Sequence, residues 1–152
     1  MNLLPFAVCL IFGSVQTIAV TSSAITIYND WPHDVSGNAI NDNPNPSGNT
    51  IICSKSTYYL QLAFLILACL GLIFGVLLLS TPDSFSSDKW KIVSIIITFI
   101  WLGVTVTSTI VTHQIFNKVG KSYPTMKQDV GFVASYSITA LLLITSIIYC
   151  FM

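Results

Sequence analysis

His33 stands between two carboxylates in Asn29-Asp-Trp-Pro-His-Asp34, and imidazole and carboxylate are the ligand types of a zinc site as well as a group that titrates near neutral pH. One His and two Asp do not complete a tetrahedral set, and no second His or Cys pair lies beside them, so no metal site is expected. His113 closes an apolar run, where an imidazole gains a little from the dipole at a helix C-terminus, so capping or headgroup contact is its expected role. Of the four cysteines, Cys9, Cys69 and Cys150 fall in apolar runs and behave as small apolar residues. Cys53 alone lies in a polar segment, so no disulfide forms within that segment; Cys53 is either free or bonded to another chain. The sequence contains no Ser, His and Asp set, no glycine-rich phosphate loop after a strand and no paired carboxylates near a cleft. Neither an enzyme nor a cofactor is expected.

Polar residues that are not charged are more numerous. Gln16, Gln61, a band of hydroxyls at Thr105, Thr107, Ser108 and Thr109, and Ser135, Ser137, Thr139 and Thr145 sit inside apolar runs. In a membrane such groups bond across helices or back to their own carbonyls, and Gly71 with Gly75 forms a small-xxx-small pair that lets two helices approach closely. Packing is the expected role of Gly71, Gly75, Thr105, Ser108 and Thr109, and a pore lining is the alternative.

The elements that carry these residues follow from charge. The 152 residues include six Lys and six Asp, no Arg and no Glu; 8% are charged, 53% are hydrophobic and the mean hydropathy is +0.77. A soluble domain carries about 25% charged residues, and the missing basic surface excludes nucleic acid as a partner. The charges fall in three windows, leaving 1–29, 56–82, 92–117 and 130–152 uncharged. Each run exceeds the roughly 20 apolar residues that cross a hydrocarbon core. Because lipid demands internally satisfied backbones, the spacing predicts an all-α membrane protein, a single integral domain of four transmembrane helices near 3–27, 58–79, 90–112 and 131–151. Tyr28, Trp31, Tyr58, Tyr59, Trp90 and Tyr149 mark the ends of these runs, where amphipathic rings favour headgroups. Trp101 lies about 16 Å deeper than Trp90 at 1.5 Å per residue, near mid-bilayer and against another helix.

Within the polar loop 28–57, Asn, Pro, Gly and Ser are concentrated in 36–50, which excludes a helix there and favours turns. Its flanks, Ile25-Thr-Ile-Tyr28 and Thr50-Ile-Ile-Cys53, are β-branched, which predicts a small hairpin or sheet above the membrane. The first run has a rival reading as a cleaved signal peptide, with Leu3 to Gly13 as its apolar region and Ser22-Ser-Ala24 as the cleavage site, although the usual basic start is missing. Lysines on the two sides of the membrane leave the orientation undecided.

The layout, with its first helix running through Thr21-Ser-Ser-Ala-Ile-Thr-Ile-Tyr-Asn-Asp-Trp31, a polar first loop and a short second loop, resembles the claudin and peripheral myelin protein superfamily. Trp31 stands where that family has a Trp soon after the first helix, and Cys53 matches one position of its loop cysteine pair. The Gly-Leu-Trp stretch, the second loop cysteine and an N-x-Ser/Thr site are absent, since Asn45 is followed by Pro46. The resemblance implies termini in the cytosol, a folded first loop outside the cell with Trp31, His33 and Cys53 in the interaction loop, and a place in the plasma membrane. It further implies a non-enzymatic role in adhesion, barrier formation or organisation of other membrane proteins, with lipid, neighbouring membrane proteins or copies of itself as partners. An accessory subunit of a larger membrane complex is the alternative, and a channel or carrier ranks below both because charged or broken helices are missing.

Overall fold

In the computed structural model the described residues are 4–41, 50–85 and 87–119, together with positions 137, 140, 141, 144, 147 and 148. They form a helix α1 (Leu4–Asp30), two short strands β1 (Ala39–Asn41) and β2 (Thr50–Cys53), a helix α2 (Lys55–Ser80), a 3₁₀ turn (Pro82–Phe85) and a helix α3 (Asp88–Val119). Three helices among the described residues, α1, α2 and α3, are long and apolar enough to cross a membrane.

This corrects the expected four-helix bundle. Among the described residues the finding is three long helices, three apolar spans and a two-stranded sheet. Within 131–151, Ser137, Ala140, Leu141, Ile144, Ile147 and Ile148 have helical backbone and are exposed; the rest of the expected fourth helix, with Ser135, Thr139 and Thr145, lies outside the described residues. Freedom from charge permits a span without making one, and the count of uncharged runs was a count of permissions.

The strand expectation is corrected in part. Thr50–Cys53 is a strand, but its antiparallel partner is Ala39–Asn41, with Ala39 opposite Cys53 and Ile40 opposite Ile51 across an irregular step. Ile25 to Tyr28 stays in α1 because its buried neighbours hold it there: Ala24 and Ile27 join Ala39, Ile52, Cys53, Ile115 and Phe116 in one apolar cluster. The hydroxyl of Thr26 bonds back to the Ser22 carbonyl at 2.9 Å, so tertiary burial and local bonding override the β-branched propensity. Helix α3 also runs well past Thr112, through His113 to Val119.

Helix α1 is central. It packs along both α2 and α3, which scarcely touch one another. The buried face of α2 is small, with Ala68, Gly71 and Gly75, so the α1 backbone comes close: a Cβ on Gly75 would meet the Ala7 carbonyl at 3.3 Å and the Leu10 Cβ at 3.2 Å. The outward faces are large and apolar within a belt of limited height. On α3 it holds Ile92, Val93, Ile96, Phe99, Ile100 and Ile110, above which Gln114, Asn117 and Lys118 are exposed. On α1 it includes Phe12 and Val15 and gives way to Ser22, Ser23 and Thr26. On α2 it runs from Leu60 to Leu79, about 30 Å at 1.5 Å per residue, which matches a hydrocarbon core. Gln61 bonding Thr112, and Thr112 bonding the Val20 carbonyl, both at 3.3 Å, tie the three helices together at the top of that belt. The last turns of α1 and α3 therefore project beyond it, and with β1 and β2 they form a headpiece.

Candidate functional site

The headpiece begins with the apolar cluster of Ala24, Ile27, Ala39, Ile52, Cys53, Ile115 and Phe116, against which Tyr28, Trp31, Tyr58 and Val111 pack. The sheet lies over it, and a further antiparallel bridge from His33 to Ala39, with the Ile40 amide donating to the Pro32 carbonyl at 2.8 Å, brings the chain after α1 alongside β1. Between these two passes lies the turn Asp34-Val-Ser-Gly-Asn38. The Asp34 amide donates to the Asn38 carbonyl at 2.9 Å and the Gly37 amide to the Asp34 carbonyl at 3.0 Å. The Asp34 carboxylate accepts from the Ser36 and Asn38 amides, both at 2.9 Å, and from Asn38 Nδ2 at 3.3 Å. Gly37 has a φ of +86°, a left-handed conformation that the turn requires and that a side chain would strain.

The turn is tied to both α1 and α2. The Tyr28 hydroxyl donates to the Gly37 carbonyl, and the Tyr28 ring stacks on Tyr58 with centroids 4.1 Å apart while meeting His33 edge-on at 4.5 Å. Asn38 Oδ1 accepts the Lys55 amide at 3.0 Å, and Ser54 Oγ accepts the Thr57 amide at 3.1 Å. Two of the donors that a helix N-terminus leaves without intrahelical partners are thus satisfied, one by the turn and one by the N-cap. The side chain of Val35, at the tip of this braced loop, is fully exposed.

Amide donors at Ser36 and Asn38 hold the Asp34 carboxyl below its ordinary range, the Asn38 amide being the largest cause. A carboxylate with a lowered folded pKa stabilises above its unfolded value and loses that contribution as pH falls through the folded value. The Ser36 and Asn38 amides are therefore expected to lose hydrogen-exchange protection below about pH 4, and Asp34→Ala is expected to remove that protection at neutral pH as well.

The residues singled out from sequence fall in two places. Trp31 packs on the headpiece cluster, and His33 is exposed and edge-on to Tyr28. Among the described residues no group of three His, Cys or Asp side chains could hold a metal ion. Cys53 is a free thiol, buried in the cluster, with Sγ 3.6 Å from the Ser54 carbonyl. Burial pushes its pKa up to about 11, against a lesser opposing pull from Lys118. At pH 8 its thiolate fraction is about 100-fold below that of a free cysteine, and alkylation is expected to be slowed at least that much. Since the folded pKa is the higher one, the contribution of the protonated thiol is complete below pH 9 and disappears as pH rises toward 11. Headpiece protection measured by hydrogen exchange should fall across that window in the wild type and stay level in Cys53→Ala.

The other residues form a seam inside the bundle. Thr105, Ser108 and Thr109 are buried, while Thr107 is exposed and bonds its own Gly103 carbonyl at 2.8 Å. Thr17 Oγ1 lies 2.9 Å from Thr105 Oγ1, Thr105 Oγ1 lies 3.1 Å from the Gly13 carbonyl, and Gln16 Nε2 reaches Thr109 Oγ1 at 3.4 Å. Trp101 lies against Gly71, so that a Cβ on Gly71 would overlap the indole at Nε1. Below the seam Phe6, Ala7, Leu10 and Leu78 form a second apolar cluster, so polar interior is bounded by apolar packing at both ends.

The chain matches no family model, no curated protein and no solved structure. What it can do is read from these two places alone. The seam bonds helix to helix. The headpiece presents a braced surface to whatever lies above the belt. Sequence reasoning missed the partners that brace it: Tyr28 with Tyr58, Asn38 on α2, and Ile115 with Phe116. The turn signal was legible from Ser36 onward, whereas the extension of α3 was hidden by Gln114, Asn117 and Lys118, whose polarity ends a span without ending a helix.

Proposed function

We propose that this is a non-enzymatic multi-pass membrane protein whose headpiece recognises other membrane proteins or copies of itself at the cell surface, in adhesion, barrier formation or the organisation of its neighbours. The observation that carries this reading is the exposed Val35 on a turn whose every neighbour is tied down: Asp34, Gly37 and Asn38 are held by the bonds to Ser36, Tyr28 and Lys55. A preorganised apolar tip loses little freedom on binding, which is how small contacts yield useful affinity. The resemblance to the claudin and peripheral myelin protein superfamily, carried by Trp31 and the extended first loop, supports the same reading.

The accessory-subunit reading draws on a different feature. The outward face of α3 is notched at Gly103, where a Cβ would meet nothing within 4 Å, and the small exposed Thr107 follows one turn later, an arrangement that admits a neighbouring helix.

Expression in cells that do not otherwise cluster tests the first reading. Clustering is expected with the wild type and should be lost in Val35→Asp at equal surface density. A protein that is found only on internal membranes, or cells that cluster equally with Val35→Asp, would overturn it. Recovery of one large assembly of fixed stoichiometry in mild detergent, broken by Gly103→Leu, would favour the subunit instead.

A further inference from the structure

Most buried hydroxyls of the bundle place their proton on a carbonyl of their own helix: Thr17 on Gly13 at 2.8 Å, Thr21 on Thr17 at 2.7 Å, Thr98 on Ser94 at 2.8 Å, Thr109 on Thr105 at 2.8 Å. Ser14 is buried and does not; its Oγ has no partner. The Trp101 indole nitrogen is likewise buried without an acceptor. Ser14 lies on the α1 stripe of Ala7, Leu10 and Ile11 by helical spacing. Leu10, Ile11 and the Ala7 carbonyl meet α2 at Gly75, and Gly71, one turn nearer the headpiece, is where the Trp101 indole rests. Two unsatisfied polar groups therefore face the same stretch of α2. Because α2 and α3 scarcely touch, that stretch is spanned by a side chain rather than by backbone contact.

We propose that an ordered water molecule binds here, between α1, α2 and α3, accepting from Trp101 Nε1–H and bonded to Ser14 Oγ. The indole is a donor only and the hydroxyl both donates and accepts, so one water satisfies the first and completes the second, which is the ordinary role of buried water at a polar site. Left dry, both groups would bear the cost of a polar atom withdrawn from water without compensation. The glycine at position 71 lets the indole nitrogen come this close to α2, since a Cβ there would overlap it.

The test uses the full chain in nanodiscs of deuterated lipid, with the indole N–H signal of Trp101 assigned by its disappearance in Trp101→Phe. A magnetisation-exchange cross-peak from that N–H to water is expected, and Ser14→Ala should reduce its intensity more than twofold and shift the indole proton upfield. Ser14→Thr, which keeps the hydroxyl, serves as a second variant if Ser14→Ala fails to fold, and should retain the cross-peak. A wild-type indole with no cross-peak to water, or one whose signal is the same in Ser14→Ala, would overturn the site.

Discussion

Gly71→Ala is expected to destabilise the bundle by about 3 kcal/mol, at the upper end of the range for overpacked cores. The added Cβ would overlap Trp101 at Nε1, and the indole cannot yield by rotating a flexible end, because the clash involves the rigid ring itself. Three glycines make the argument quantitative. At Gly75 the nearest atom is Ile11 Cγ1 at 2.9 Å, followed by Leu10 Cβ at 3.2 Å, so part of the strain can be relieved by the isoleucine and a loss of about 1–2 kcal/mol is expected. At Gly103 nothing lies within 4 Å, and Gly103→Ala should leave stability unchanged. Reversible unfolding in micelles, followed by the separation of labels on α1 and α2, should rank the three variants in that order. The Gly71 effect should be coupled to Trp101: in a double-mutant cycle, Gly71→Ala should cost far less in a Trp101→Ala background than alone. Equal changes at positions 71 and 103 would show that the indole does not set the response, since helix propensity alone favours alanine at both.

How much of this was legible beforehand depends on which physical rule governed each residue. The apolar runs announced α1, α2 and α3, because the cost of charge in lipid leaves a mark in composition itself. Gly71, Gly75 and Trp101 were each readable as packing residues; that Gly71 and Trp101 meet was not, since a spacing rule fixes a face and not the partner across it. The expectation of four spans exceeds the three found among the described residues, and most of 131–151, which satisfied the same permission as the rest, lies outside those residues. Ile25 to Tyr28 shows the opposite failure. A local propensity for strand was plain, yet the residue types that overrule it, Ile52, Ile115 and Phe116, lie far along the chain. Cys53 was correctly placed outside the spans, but nothing in a polar sequence neighbourhood betrays burial. Its seclusion depends on the same distant residues.

Phe116→Ala is expected to release the headpiece from the bundle while leaving the spans assembled. Phe116 is buried between the end of α1 and the sheet, in the cluster that also contains Ala24, Ile27, Ile52 and Cys53. Loss of a buried phenyl ring costs about 3–5 kcal/mol where the site cannot collapse, and here the sheet it supports is only two short strands, a size that is marginal without packing beneath it. The loss should therefore appear as local rather than global opening. Amides of 33–41 and 50–53 should exchange faster by at least two orders of magnitude, while those of 60–78 keep their protection. In a chain with Cys9, Cys69 and Cys150 replaced, Cys53 should become alkylated by an impermeant reagent at close to the rate of a free cysteine, since the burial that raises its pKa is gone. The Tyr28 bond to Gly37 and the Asn38 bond to Lys55 would remain possible after the substitution, so persistence of protection in Phe116→Ala would mean that these polar ties, and not the apolar cluster, hold the headpiece. Because Val35 is displayed only while the turn is braced, the same variant should also lose cell clustering, joining a packing defect near the end of α3 to a recognition defect at the tip of the loop.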